Sequence, residues 1–242
     1  MTDFFYNSPA EVKYTVIHRD PLSEPLRLQM LSWLKLCDKG HGCCEGNASL
    51  PSRLLDIRDL NCITLRESAN MQRHGGSNLR YATLSHCWGS SRNFLATRET
   101  VFKLMRGFRF SEEAPKTFSD AVHVAHGLGI PYLWIDPLCI IQDDVSDWDA
   151  EASRMADVYS NSYLTIAAAS SDDDRKGLLQ PRSFQYATIK LNSPVGGSML
   201  ASFSWEGNRL FGGPIPLFQR GWVLQEQFLS PRNMIFSDEK VH

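Results

Sequence analysis

Residues Tyr132 to Ser171 constrain this chain more than any other stretch, because strand and helix signals alternate there without a break. YLWIDPLCI (132–140) is almost continuously apolar, as a parallel strand covered on both faces requires. DWDAEASRMADVYS (147–160) repeats at the helical period, and YLTIAAA (163–169) reads as a second buried strand. On a helical projection, Trp148, Ala152, Met155 and Tyr159 form one apolar stripe. Glu151 lies about 60° from Trp148 at ~100° per residue, inside that stripe and away from Asp149, Ser153 and Asp157. A carboxylate aimed at a core must find a partner or line a cavity, since burying it alone is costly. Two roles are therefore open to Glu151: a structural pair with Arg154 or a backbone donor, or a catalytic group in a cavity.

Upstream, YATLSHC (81–87) reads as a strand running into Trp88-Gly89. Residues 117–128 read as a helix, with Thr117 and Asp120 spaced like a capping box and Gly127 and Gly129 at its end. Strand, helix, strand, helix, strand in this order predicts an α/β fold built on parallel βαβ units with flanking helices. The segment 50–67 reads as strand, turn and strand, and 68–78 as a loop and internal boundary. That divides the chain into a 1–78 leader and a 79–242 domain. Residues 181–218 resist ordering apart from strand-like runs such as YATIKL, and the chain is expected to be cut short at its C-terminal end.

Open parallel sheets bind ligands beyond the carboxyl ends of their strands. Ser85 and the Trp88-Gly89 turn, Asp136, and Ser170-Ser171 would meet on that rim, with Glu151 one turn into the helix above it. Carboxylates beside aromatic walls suit the stabilisation of a developing cation, as in glycosidic cleavage. Trp148 would wall such a site, and Gln225 and Glu226 would line a pocket or cap a helix. Adjacent strand residues face opposite ways, so Ser85, His86 and Cys87 do not make one catalytic triad. No nucleophile elbow, P-loop or dinucleotide glycine fingerprint is present.

Net charge -2 and pI ≈ 6.4, with no basic tract, argue against nucleic acid as a partner. No apolar run is long enough to span a bilayer, and the first residues lack the pattern of a secretory signal. Six cysteines in 242 residues do not make a secreted disulfide framework, so a cytoplasmic location is expected. Cys37, His41, Cys43 and Cys44 crowd one turn at a spacing unlike the common zinc fingers. They are expected to be structural, without a metal.

Three blocks resemble the heterokaryon incompatibility (HET) domain of filamentous fungi: YATLSHCWG, the 117–159 segment with WIDPLCIIQDD and DW, and RGWVLQEQFLSPRNMIF. His86 stands where the first block usually carries an aromatic. The leader, with Trp33-Leu34, the Cys/His turn and LPSRLLDI, is similar too. The resemblance implies a nonself-recognition effector that triggers cell death when incompatible cells fuse. It also implies a remote similarity to TIR domains, which have a flavodoxin-like core and in several lineages hydrolyse NAD. W-x-x-E at Trp148–Glu151 is similar to the TIR glutamate motif, but that glutamate follows the third strand and Glu151 precedes the strand at 163–169. On this reading Glu151 and Asp136 are catalytic, and Ser85, Trp88, Gly89, Trp148, Gln225 and Glu226 bind substrate. NAD is the substrate rather than a cofactor. The alternative is a non-catalytic adaptor that self-associates or acts through an incompatibility partner protein.

Overall fold

Among the described residues, six strands form one sheet in the order β2-β1-β4-β3-β5-β8. They are β1 (Arg53–Asp56), β2 (Thr64–Glu67), β3 (Tyr81–Ser85), β4 (Tyr132–Trp134), β5 (Leu164–Ala168) and β8 (Asn233–Phe236), while β6 (Tyr186–Asn192) and β7 (Ser198–Ser204) form a separate antiparallel hairpin. The computed structural model describes residues 20–41, 43, 49–75, 79–89, 94–181, 186–192, 198–204, 215–238 and 241–242. Its α-helices are α1 (Glu24–Gly40), α2 (Ser68–Gly75), α3 (Val101–Arg106), α4 (Phe110–Glu113), α5 (Lys116–Gly127), α6 (Asp136–Cys139), α7 (Val145–Ser153), α8 (Met155–Ser160) and α9 (Gly221–Leu229). None of the described helices is long and apolar enough to cross a membrane.

The expected parallel core is present. β3 lies between β4 and β5 and is parallel to both, with Ala82 opposite Leu133 and Leu164; β8 extends the parallel set beyond β5. In order of appearance these four strands run 2-1-3-4, as in doubly wound flavodoxin-like sheets. The β1–β2 hairpin completes the other side, and β1 pairs antiparallel with β4 through Leu55 and Leu133. The leader's strands are thus part of the same sheet as the central blocks. Every residue of β1, β3, β4 and β5 is buried, which accounts for the largely apolar runs of β3, β4 and β5.

α5 packs on β3 and β4. Its end follows the sequence: Gly129 adopts φ 74 one residue past the C-cap, the left-handed position glycine tolerates best. The capping box is a correction. Pro115 is the N-cap, and Thr117 and Asp120 serve another segment instead. Asp120 Oδ2 accepts from the backbone N–H groups of Leu178 and Leu179, and Thr117 Oγ1 accepts from Gly177.

Three boundaries also differ from the sequence reading. The strand expected over 132–140 ends at Trp134, because Asp136-Pro137 starts the short helix α6: proline has no N–H to give a sheet but suits a helix's first turn. Residues 68–75, read as loop, form α2. The helix expected over 147–160 breaks at Arg154 into α7 and α8. α8 holds to the sheet through Tyr159, whose ring meets Trp134 edge-on with centroids 5.8 Å apart, and through the Tyr81 hydroxyl, which donates to Val158 O at 2.7 Å.

Candidate functional site

The early end of β4 is what creates a rim. Past Trp134 the chain turns at Asp136 and projects its carboxylate beyond the strand end, while β3 delivers Ser85, His86 and Trp88 to the same edge. α9, which packs on α8, brings Glu226 over this edge. Between them lies a cavity of about 490 Å³, lined among others by Trp88, Asp136, Trp148, Arg220, Trp222 and Glu226.

Two carboxylates share it. Asp136 Oδ2 accepts from Trp88 Nε1 at 2.5 Å. Its Oδ1 is buried without a hydrogen-bond partner among the described residues, 3.7 Å from His86 Nδ1. Burial, then the nearby Glu226, push the Asp136 carboxyl up to about 7, against the pull of Trp88 and Arg220. Glu226 is buried as well, accepts from the Ser85 hydroxyl and is hydrogen-bonded to Tyr159. Burial raises its carboxyl too, opposed by Ser85, Arg220 and Tyr159. His86 sits edge-on to Phe118 and is driven down to about 3 by burial and then by Arg220, so it is neutral at any ordinary pH. Arg220 itself is fixed by a hydrogen bond to the His86 carbonyl.

The cavity therefore gathers Asp136, Trp88, Trp148 and Glu226 of the residues anticipated from sequence, with Ser85 directly behind Glu226. Gly89 and Gln225 do not line it. Gly89 is held by its backbone: φ is 68, and a Cβ there would stand 2.6 Å from Asp173 Cβ. Ser171 is turned away, donating to the Gly177 carbonyl.

Glu151 is the main correction to the geometry. It is buried, as its place in the apolar stripe requires, but it does not line the cavity that Asp136 reaches. Its Oε1 accepts from the Ser52 hydroxyl and lies 3.9 Å from Arg154, which in turn holds Leu50 O at 2.7 Å and Ser49 Oγ at 3.1 Å. The break after Ser153 leaves Trp148, Ala152 and Met155 on the cavity while Glu151 faces the chain entering β1. Conversely, Arg220, Trp222 and Tyr159 escaped the sequence reading as site residues. Tyr159 looked like one more apolar-stripe residue, and only its long-range bond to Glu226 distinguishes it.

The family model described as heterokaryon incompatibility protein (HET) matches residues 81–226. This chain belongs to the heterokaryon incompatibility family. No curated protein and no solved structure gives a match. The matched span of the HET domain opens on the first residue of β3 and closes on Glu226, so it encloses every cavity residue named above.

Proposed function

We propose that this HET domain is a cell-death effector of fungal nonself recognition and that its rim cleaves the nicotinamide–ribose bond of NAD. The observation that carries the reading is the pair Asp136 and Glu226, two carboxylates with raised proton affinity facing one tryptophan-walled cavity. Its volume of about 490 Å³ is within the range of small-molecule sites. In this scheme the C–N bond breaks with its electron pair going to the pyridinium ring, so nicotinamide leaves neutral and needs no acid. Positive charge develops on the ribose, where Glu226 opposes it. Water adds to the ribose carbon, and Asp136, titrating near 7, takes the proton. Trp88, Trp148 and Trp222 offer faces for the rings, and Arg220 offers a cation to the diphosphate.

The test is incubation of purified protein with NAD, with nicotinamide and ADP-ribose measured by chromatography. Turnover is expected, and Glu226→Gln should lower it on the order of a hundredfold, the scale of one preorganised electrostatic group. Folded wild-type protein that leaves NAD intact would overturn the catalytic reading.

A second reading, a non-catalytic adaptor that self-associates, is favoured by one feature. Trp222, Leu224 and Phe228 on α9 are 62%, 66% and 81% exposed, an apolar display beside the cavity. Concentration-dependent assembly without NAD loss would select it.

A further inference from the structure

At the opposite edge of the sheet from the cavity, the end of α1 gathers soft ligands. Cys37 lies in its last turn, His41 is its C-cap and Cys43 follows; one ligand atom from each lies within 4.8 Å of the other two. The two sulfurs are 3.4 Å apart, and neither is in a disulfide. We propose that Cys37, His41 and Cys43 bind a zinc ion, contrary to the structural, metal-free role expected from their spacing alone.

Tetrahedral zinc with Zn–S near 2.3 Å and Zn–N near 2.0 Å sets ligand atoms about 3.6–3.8 Å apart. The sulfurs would separate by a few tenths of an ångström and the imidazole would close by at most about 1.2 Å, an adjustment available to a turn. Both thiols lose their protons to solvent on coordination. The C-terminal end of a 17-residue helix favours a cation there. Arg232 supplies the outer support that metal thiolates use, its Nε donating to Cys37 Sγ at 3.1 Å. Cys44 lies outside the described residues. Water would take the fourth position.

The surroundings give the site a structural purpose. Asp38, next to Cys37, accepts from Arg232 at 2.7 Å and from the Tyr163 hydroxyl at 3.0 Å, and Arg232 lies over the Tyr163 ring. Tyr163 leads into β5 and Arg232 into β8. A metal here would fasten α1 to the starting ends of both strands, far from the chemistry at their other ends.

Zinc measured by mass spectrometry on protein purified under reducing conditions should be about one per chain. After removal by chelator, cobalt titration should give tetrahedral visible bands and a charge-transfer band of two-thiolate strength. Cys43→Ser should weaken binding severely, and Arg232→Gln should weaken it about 10–100-fold, as for other outer-shell partners. The cobalt titration needs only wild-type protein, so misfolding of a variant does not blunt the test. Folded wild-type protein that takes up neither metal, a Cys37–Cys43 disulfide formed in its place, or zinc retained at full strength by a folded Cys37→Ser, Cys43→Ser variant would each overturn the proposal.

Discussion

Asp136→Asn should flatten the dependence of stability on pH, with a sign that follows from the site. The folded state raises this carboxyl from 3.8 to about 7, so between roughly pH 4 and 7 the folded protein holds a proton that the unfolded chain has released. Stability must then fall as pH rises through that window and level off above about 7. The full rise sets a ceiling of about 4 kcal/mol at ~1.4 kcal/mol per pH unit. The side chain is 18% exposed at the cavity, and solvent there should reduce the effect to about 2 kcal/mol. Glu226, Arg220, Trp88 and His86 all face the group. Glu226, also raised, slopes the same way, while His86, held near 3, slopes oppositely between about pH 3 and 6.5 because only the unfolded chain takes up its proton. The informative quantity is therefore wild type minus variant, from urea unfolding at pH 3, 4, 5, 6, 7 and 8. The asparagine keeps an oxygen for Trp88, so the indole bond survives. The variant should gain on wild type by about 2 kcal/mol across that range. Parallel stability curves would refute a proton held at Asp136.

Two further substitutions separate support from chemistry. Glu151→Gln should cost about 1–3 kcal/mol through the weakened bond to Ser52 and the lost charge beside Arg154, with NAD turnover per folded molecule unchanged, read by melting temperature alongside activity. Gly89→Ala should lower the melting temperature by an amount equivalent to at least about 1–2 kcal/mol, because a left-handed φ of 68 is joined by a clash at 2.6 Å with Asp173; an unchanged melting temperature would contradict that geometry.

The sheet was legible because β3, β4 and β5 are buried throughout and written mostly in apolar residues. Their ends were less so. Apolar content continues past Trp134 because α6 is as buried as the strand, and only Asp136-Pro137 marks the change. For the site, sequence placed Trp88, Asp136, Trp148 and Glu226 at one pocket, as the cavity has them, but expected Glu151 to face the same cavity, which it does not. Helical periodicity correctly told that Glu151 is buried. It carries no information about which neighbour a buried side chain meets, and that neighbour is Ser52, 99 residues away. Glu226 reaches Ser85 across 141 residues, a relation that no local pattern encodes.

The place of the β1–β2 hairpin has a consequence for how this domain can be moved between proteins. A fragment cut to the matched span, 81–226, would lose β1 from the outer side of β4 and β8 from the outer side of β5. The three strands left would present two raw, buried-type edges, each a template for pairing with another chain. Recombination that respects the matched boundaries would thus yield a sticky three-stranded remnant. The unit to be moved must include at least β1, which covers the free side of β4, and β8, which covers that of β5.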